Sequence, residues 1–312
     1  VHAYGNKNTQ FDQTFEDNFF RILPDVETRI QFKKSEALTI RYDMRNQFTD
    51  VTRLAQGLVL NRYDNIQFGE PELQNALTHN ISLLYSSFNL FNYTNVFARA
   101  GYTKNVDQIR QLTNFDSVLR TSTFFKSIFA DETAPLFGRI QKTGGKVQAS
   151  SNVGLNYSKI NQFIQGNRSI NEGFTQTYTP GIRTNFKVAP NVTFRYRYSV
   201  TENNQGGGKT TFRTNAPSID FDAYIWKSVT LRSTYTYTDQ DLGNGNSQSF
   251  QNWDASLAYR KNRDSKWEFE VKATNILNID AQVRNSANNV SVFVSETFIQ
   301  PRFITGRVVY TL

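Results

Sequence analysis

The 312-residue chain has no cysteine, one methionine and two histidines, His2 and His79. Without thiols it can build neither a disulfide framework nor a thiolate metal centre. Two distant histidines and no Gly-x-Ser-x-Gly leave a nucleophilic triad little to build on, and no enzyme is expected. Long apolar runs are missing as well: mean hydropathy is −0.54, and no window approaches the roughly 18 apolar residues that a spanning helix needs. A membrane crossing would have to use strands. No helical periodicity is long enough to form a packed helical layer, and no shift in composition splits 1–312 into two domains. Val1-His-Ala-Tyr-Gly5 lacks the basic start and apolar run of a signal peptide, so export implies a mature or partial chain.

What the chain has is aromatic side chains, 26 Phe, 15 Tyr and 3 Trp, set in segments of period two. Val192, Phe194, Tyr196, Tyr198 and Val200 alternate with Thr193, Arg195, Arg197 and Ser199. Val229, Leu231, Tyr235 and Tyr237 oppose Thr230, Arg232, Thr234 and Thr236; Trp253, Ala255, Leu257 and Tyr259 oppose Asp254, Ser256 and Arg260. Trp267, Phe269 and Val271 oppose Glu268, Glu270 and Lys272. Leu38, Ile40, Tyr42 and Met44 repeat the theme, as do Val153, Leu155 and Tyr157. The chain ends in the same way, with Ile304, Val308, Tyr310 and Leu312 against Thr305, Arg307 and Thr311. Successive strand side chains point to opposite sides, so each segment has one apolar and one polar face. Aromatic apolar faces opposite mid-strand charges fit a transmembrane barrel, with Val192, Tyr196, Leu231, Leu257, Phe269 and Val308 toward lipid and Arg195, Arg197, Arg232, Glu268 and Arg307 toward the lumen.

The charge balance, 35 basic against 27 acidic residues, raises the question of nucleic acid. The basic residues are scattered along polar strand faces and no nucleic-acid motif accompanies them, so no such partner is expected. Two readings of the arginines remain open. They can pair with Asp220, Asp222, Asp254, Glu268 and Glu270 across a wet lumen, or they can favour anions. Paired carboxylates at i, i+2, such as Asp220 with Asp222, are read as partners of those arginines rather than as acid/base catalysts. His79, on the apolar register of Ile81 and Leu83, reads as an interface residue. Asp239, Asp241, Asn244 and Asn246 offer oxygen ligands at a spacing that matches no calcium loop. No cofactor or metal is expected.

Strand candidates fall near 9–20, 26–34, 37–48, 77–90, 94–110, 121–130, 146–160, 170–187, 191–202, 210–226, 228–238, 251–261, 266–276, 289–299 and 302–312, an antiparallel up-and-down barrel of about 14 strands, in the range of roughly 12–16. Short connections at 33–36, 189–191 and 226–228 read as turns at one end, the periplasmic one. Longer polar stretches at 49–75, 131–145, 203–209 and 239–250 read as loops at the other. The terminus falls on the short-turn side only if 279–299 is itself a hairpin.

Three features resemble the outer-membrane barrels of the TonB-dependent receptor type common in Bacteroidota. They are Val271-Lys-Ala-Thr-Asn-Ile-Leu-Asn278; Gln300-Pro-Arg302 before the terminal strand; and Gly69-Glu-Pro-Glu-Leu73, with Glu70 where the family usually has Asn. The resemblance implies a bacterial outer-membrane location, a part in transport, and contact with outer-membrane lipid, lipopolysaccharide and the barrel-assembly machinery, for which Tyr310 and Leu312 would be the terminal signal. That family carries a plug, a coupling box and roughly 22 strands. Nothing in 1–20 looks like the first two, so the expectation is either the C-terminal part of such a receptor or a plug-less relative. The alternative function is a structural or docking subunit that binds other envelope proteins.

Overall fold

A computed structural model describes the chain except residues 1, 9–12, 48–49, 55–56, 71–75, 117–118, 165, 188–189, 227, 242–246, 263, 288–291 and 312. The described residues are all-β, with one 3-10 turn at Val51–Arg53 and no α-helix. In chain order the strands are β1 (His2–Asn8), β2 (Gln13–Phe19), β3 (Asp25–Lys33), β4 (Glu36–Gln47), β5 (Leu58–Arg62), β6 (Asn65–Phe68), β7 (Ala76–Asn89), β8 (Thr94–Val106), β9 (Gln108–Asp116), β10 (Leu119–Ser127) and β11 (Asp131–Gly144). There follow β12 (Val147–Ile164), β13 (Asn167–Thr184), β14 (Asn191–Gln205), β15 (Gly208–Ile225), β16 (Val229–Asp241), β17 (Ser247–Tyr259), β18 (Trp267–Thr274), β19 (Ala281–Ala287), β20 (Val292–Phe298) and β21 (Phe303–Tyr310).

Seventeen of these strands belong to one sheet, more than the roughly 14 expected from sequence. Its main row is an antiparallel meander in which each strand pairs with the next: β3, β4, β7, β8, β11 through β18, then β21. Among the described residues no ladder joins β21 back to β3, so the sheet is not closed into a barrel. Both end strands are exposed along nearly their whole length, as unpaired edges must be. β1–β2 and β19–β20 form separate two-stranded sheets.

The meander sorts the connections by length. At one end lie the turns 34–35, 90–93, 145–146 and 226–228, together with the end of β21. At the other lie the long excursions 48–75, 107–130 and 275–302. The 279–299 segment is indeed a hairpin, β19–β20, which puts the end of β21 on the short-turn side.

The long-connection end differs from expectation in four places, one of them 239–250, where β16 and β17 pair as far as Asp241 and Ser247. Residues 131–145 are not a loop but β11, laddered on both sides by β8 and β12. The stretch 203–209 is only a hairpin turn, because β14 and β15 pair as far as Gln205 and Gly208. The described parts of the excursions 48–75 and 107–130 fold into an upper tier: β5 pairs with β6, β6 runs parallel to β10, and β10 pairs with β9. Strand β9 then meets the tip of β12, Leu112 opposite Phe163. The tier fits beside β12 because that strand runs 18 residues and overshoots β11.

Buried apolar side chains are few: Ala37, Leu54, Ala76, Phe124 and Ala223 among the described residues. Leu54, Phe124 and Ile109 make a small core inside the tier. The main row has no such core. The accessible surface is 20491 Å², whereas a globular monomer of 35.9 kDa should expose about 13,000 Å². A single layer with both faces uncovered accounts for the excess.

Candidate functional site: two faces and a tier

Cross-strand registers carry the alternation from strand to strand without a break. On one face Ile40 meets Leu83, Leu83 meets Ala100, and Leu136 lies between Ala100 and Leu155. Further along, Ile182, Phe194, Ile219, Tyr235 and Trp253 form one rung. Another rung joins Val229, Tyr259, Phe269 and Val308. These side chains stay open to their surroundings, with Leu257 48%, Val271 55% and Val308 60% exposed. Val192, Tyr196, Leu231, Leu257, Phe269 and Val308 all share this face, and Arg195, Arg197, Arg232, Glu268 and Arg307 all share the other.

The apolar band has limits. Toward the long-connection end it stops at a charged rung, Lys104, Glu132, Lys159 and Glu172 in adjacent strands, with Lys159 Nζ 3.5 Å from Glu172. On β11 the same face runs from Glu132 through Ala134, Leu136, Gly138 and Ile140 to Lys142. The ten steps from Glu132 to Lys142, rising about 3.3 Å each at a tilt near 45°, cover about 23 Å, close to the ~25 Å apolar band of membrane barrels. Aromatics mark the short-turn limit: Trp226 is 87% exposed in its turn, and Trp267 packs on Tyr310 at 4.8 Å with Lys266 Nζ 5.7 Å from the Tyr310 ring. Tyr310 thus packs against Trp267, and Leu312 lies outside the described residues. His79 sits on the apolar face with Nδ1 2.9 Å from the Tyr42 hydroxyl.

Much of the opposite face is an ion-pair lattice. Arg195 meets Asp220 at 2.5 Å, Arg232 meets Asp222 at 3.5 Å and Arg307 meets Glu270 at 2.8 Å. Arg41 grips Asp25 with two hydrogen bonds of 2.9 and 2.6 Å, and Arg45 lies 2.6 Å from the buried Asp43. Asp254 departs from the expected pairing, since its carboxylate accepts the Asn275 amide at 2.8 Å. Asp241 pairs with Arg213 at 3.3 Å, and Asn244 and Asn246 lie outside the described residues. No cluster that could hold a metal occurs among the described residues.

Two of the sequence motifs meet in space. Asn275 and Asn278 both adopt positive φ, 49° and 54°, a backbone region that asparagine tolerates better than most residues. The Asn275 side-chain amide donates to the carbonyls of Ile279 and Gln300 at 2.8 and 3.0 Å, and the Arg302 amide donates to Asn278 Oδ1 at 3.1 Å. The 271–278 and 300–302 motifs thus clamp the neck of the β19–β20 excursion, which keeps β18 and β21 neighbours. Gly69 and Glu70 of the third motif are described, and 71–73 are not.

Sequence reasoning missed the junction of the tier with the main row. Arg110, buried, donates to the carbonyls of Asn161 and Phe129 and to Asp131 Oδ1 at 2.7 Å. Asp131 Oδ1 also accepts the Asn161 amide at 2.7 Å, and Arg168 grips Asn161 Oδ1 while stacking 3.7 Å above the Phe129 ring. At the tier's start Thr52 donates its hydroxyl and amide to Asp50, holding that carboxyl below the usual carboxylate range. Only scattered polar letters mark this network in the sequence. No family profile, curated protein or solved structure matches the chain.

Proposed function

We propose that this chain forms wall of an outer-membrane β-barrel of the TonB-dependent receptor type, with a part in transport across that membrane. The observation that carries the membrane reading is the exposed apolar band, bounded by charge at Glu132 and Lys142 on β11 and continuous across the registers. A face of that height has no partner layer in the sheet, and lipid is the solvent that suits it. The receptor type and the transport role rest on the 271–278, 300–302 and 69–73 motifs and on the sorting of long connections to one end. The lipid headgroups, the barrel-assembly machinery and neighbouring envelope proteins are the partners this reading implies.

The two free edges, β3 and β21, favour a second reading, in which the chain is a docking barrel that shares strands with another envelope component. Cysteine scanning tests the common premise. Single cysteines at Arg195, Arg197, Arg232, Glu268 and Arg307 in vesicle-inserted protein should react with a water-soluble maleimide, while those at Val192, Tyr196, Leu231, Leu257, Phe269 and Val308 should be protected. Equal labelling of the two sets would reject the membrane reading.

A further inference from the structure

The polar face is not charged evenly. On β15 to β18 and β21 it carries Asp220, Asp222, Asp254, Glu268 and Glu270 against Arg232, Lys272 and Arg307. On β8 and β11 to β14 the same face is built from Ser, Thr, Asn, Gln and Gly together with Arg99, Arg139, Arg183, Arg195 and Arg197. The one carboxylate of that sector, Asp131, is held beneath Arg110. Arg195 reaches across to Asp220. Arg99, Arg183 and Arg197 make no ion pair among the described residues, and Arg139 donates only to the Gln141 amide oxygen at 2.8 Å.

At the centre of this acid-poor sector the alternation is broken in a particular way. Register sets Phe97 opposite Arg139 and Arg99 opposite Phe137, a block of two rings and two guanidinium groups on one face. The rings are 6.2 Å apart and stand 38% and 43% exposed, so they do not shield each other. Leu84 flanks Arg99, and Gly154 beside Phe137 leaves the approach open. Guanidinium groups without carboxylates attract anions and hold carboxylate oxygens in pairs, while exposed ring faces accept a flat apolar body.

We propose that the Phe97, Arg99, Phe137 and Arg139 block binds small planar organic anions, a ring bearing carboxylates, on the polar wall of the sheet. The charge complementarity is local: the same chemistry is absent from the β15 to β18 sector, where every acid-rich stretch would repel such a ligand. This inference rests on the barrel reading only for placing the wall in a water-filled interior.

Calorimetric titration of the full chain, folded in a neutral detergent, with benzene-1,3,5-tricarboxylate tests it. The anion should bind, binding should weaken as salt rises, and 1,3,5-tris(aminomethyl)benzene should give no heat. The double variant R99Q/R139Q should lose at least about tenfold in affinity, R99K/R139K should keep part of it, and R232Q, in the acidic sector, should bind as the parent does. No binding by the folded parent, or equal binding by parent and R99Q/R139Q, would overturn the assignment. Flotation of the same preparations with lipid vesicles separates the two ideas. Protein that floats without binding the anion sinks this inference alone, and protein that binds without floating sinks the membrane reading alone.

Discussion

A single arginine decides what a strand position faces. Leu231 lies between Ala223 and Leu257 within the apolar band, with Val271 next along the rung. On the proposed membrane placement, Leu231→Arg is expected to cost about 2–4 kcal/mol if the site lies near the hydrocarbon midplane, measured by urea unfolding in phospholipid vesicles. Arg232→Leu, one residue on, removes an exposed ion pair with Asp222 and should change stability by less than about 1 kcal/mol. A result with the two costs reversed would mean that the faces are assigned backwards. At this scale the sequence was informative, since period two alone separated the named apolar-face residues from the charged ones. It could not foretell which acid each arginine takes: register decides that, and it sent Asp254 to a backbone amide in the Asn275 turn.

Elements were harder to read where alternation is broken or has nothing to alternate against. Strand β11 escaped notice because Phe137 sits on the polar face beside Leu136, while Gly138 occupies the apolar one. The neighbouring letters therefore look like a mixed loop. Strand β10 was legible at 121–130, but β5, β6 and most of β9 lie outside the apolar band, where no solvent boundary imposes a period; the tier's stability comes from the Leu54 and Phe124 core and from Arg110. Arg110→Ala would leave Asp131 buried without its cation, a loss of about 3–5 kcal/mol for a buried pair. Hydrogen exchange should then accelerate across 108–127 while β13 to β16 keep their protection. Uniform acceleration across the sheet would show that the tier and the main row unfold as one unit. The chain pattern was most reliable for β14 to β18, where every strand crosses the band.

Among the described residues the main row is one layer with two unlike faces and two unpaired end strands. Such a sheet encloses little by itself, and its polar face is crossed by Arg195–Asp220, Arg232–Asp222 and Arg307–Glu270. In a planar bilayer the isolated chain is expected to give conductance near zero. A stable, large, anion-selective current would contradict that expectation and favour an open pore lined by free arginines. The strand number was beyond sequence reasoning because an excursion that folds back as a second tier adds strands without adding one to the main row.

The tier also fixes an order of events in folding. Its strands pair residues far apart in the chain, Asn65 with Arg120 and Leu112 with Phe163, so loop-closure entropy must be overcome before any of those contacts is gained. Neighbouring hairpins such as β14–β15, joined at Gln205 and Gly208, carry no such delay. Seen as a process, the meander can zip locally, and the ornament at its long-connection end is a latch that cannot close until β12 has been made.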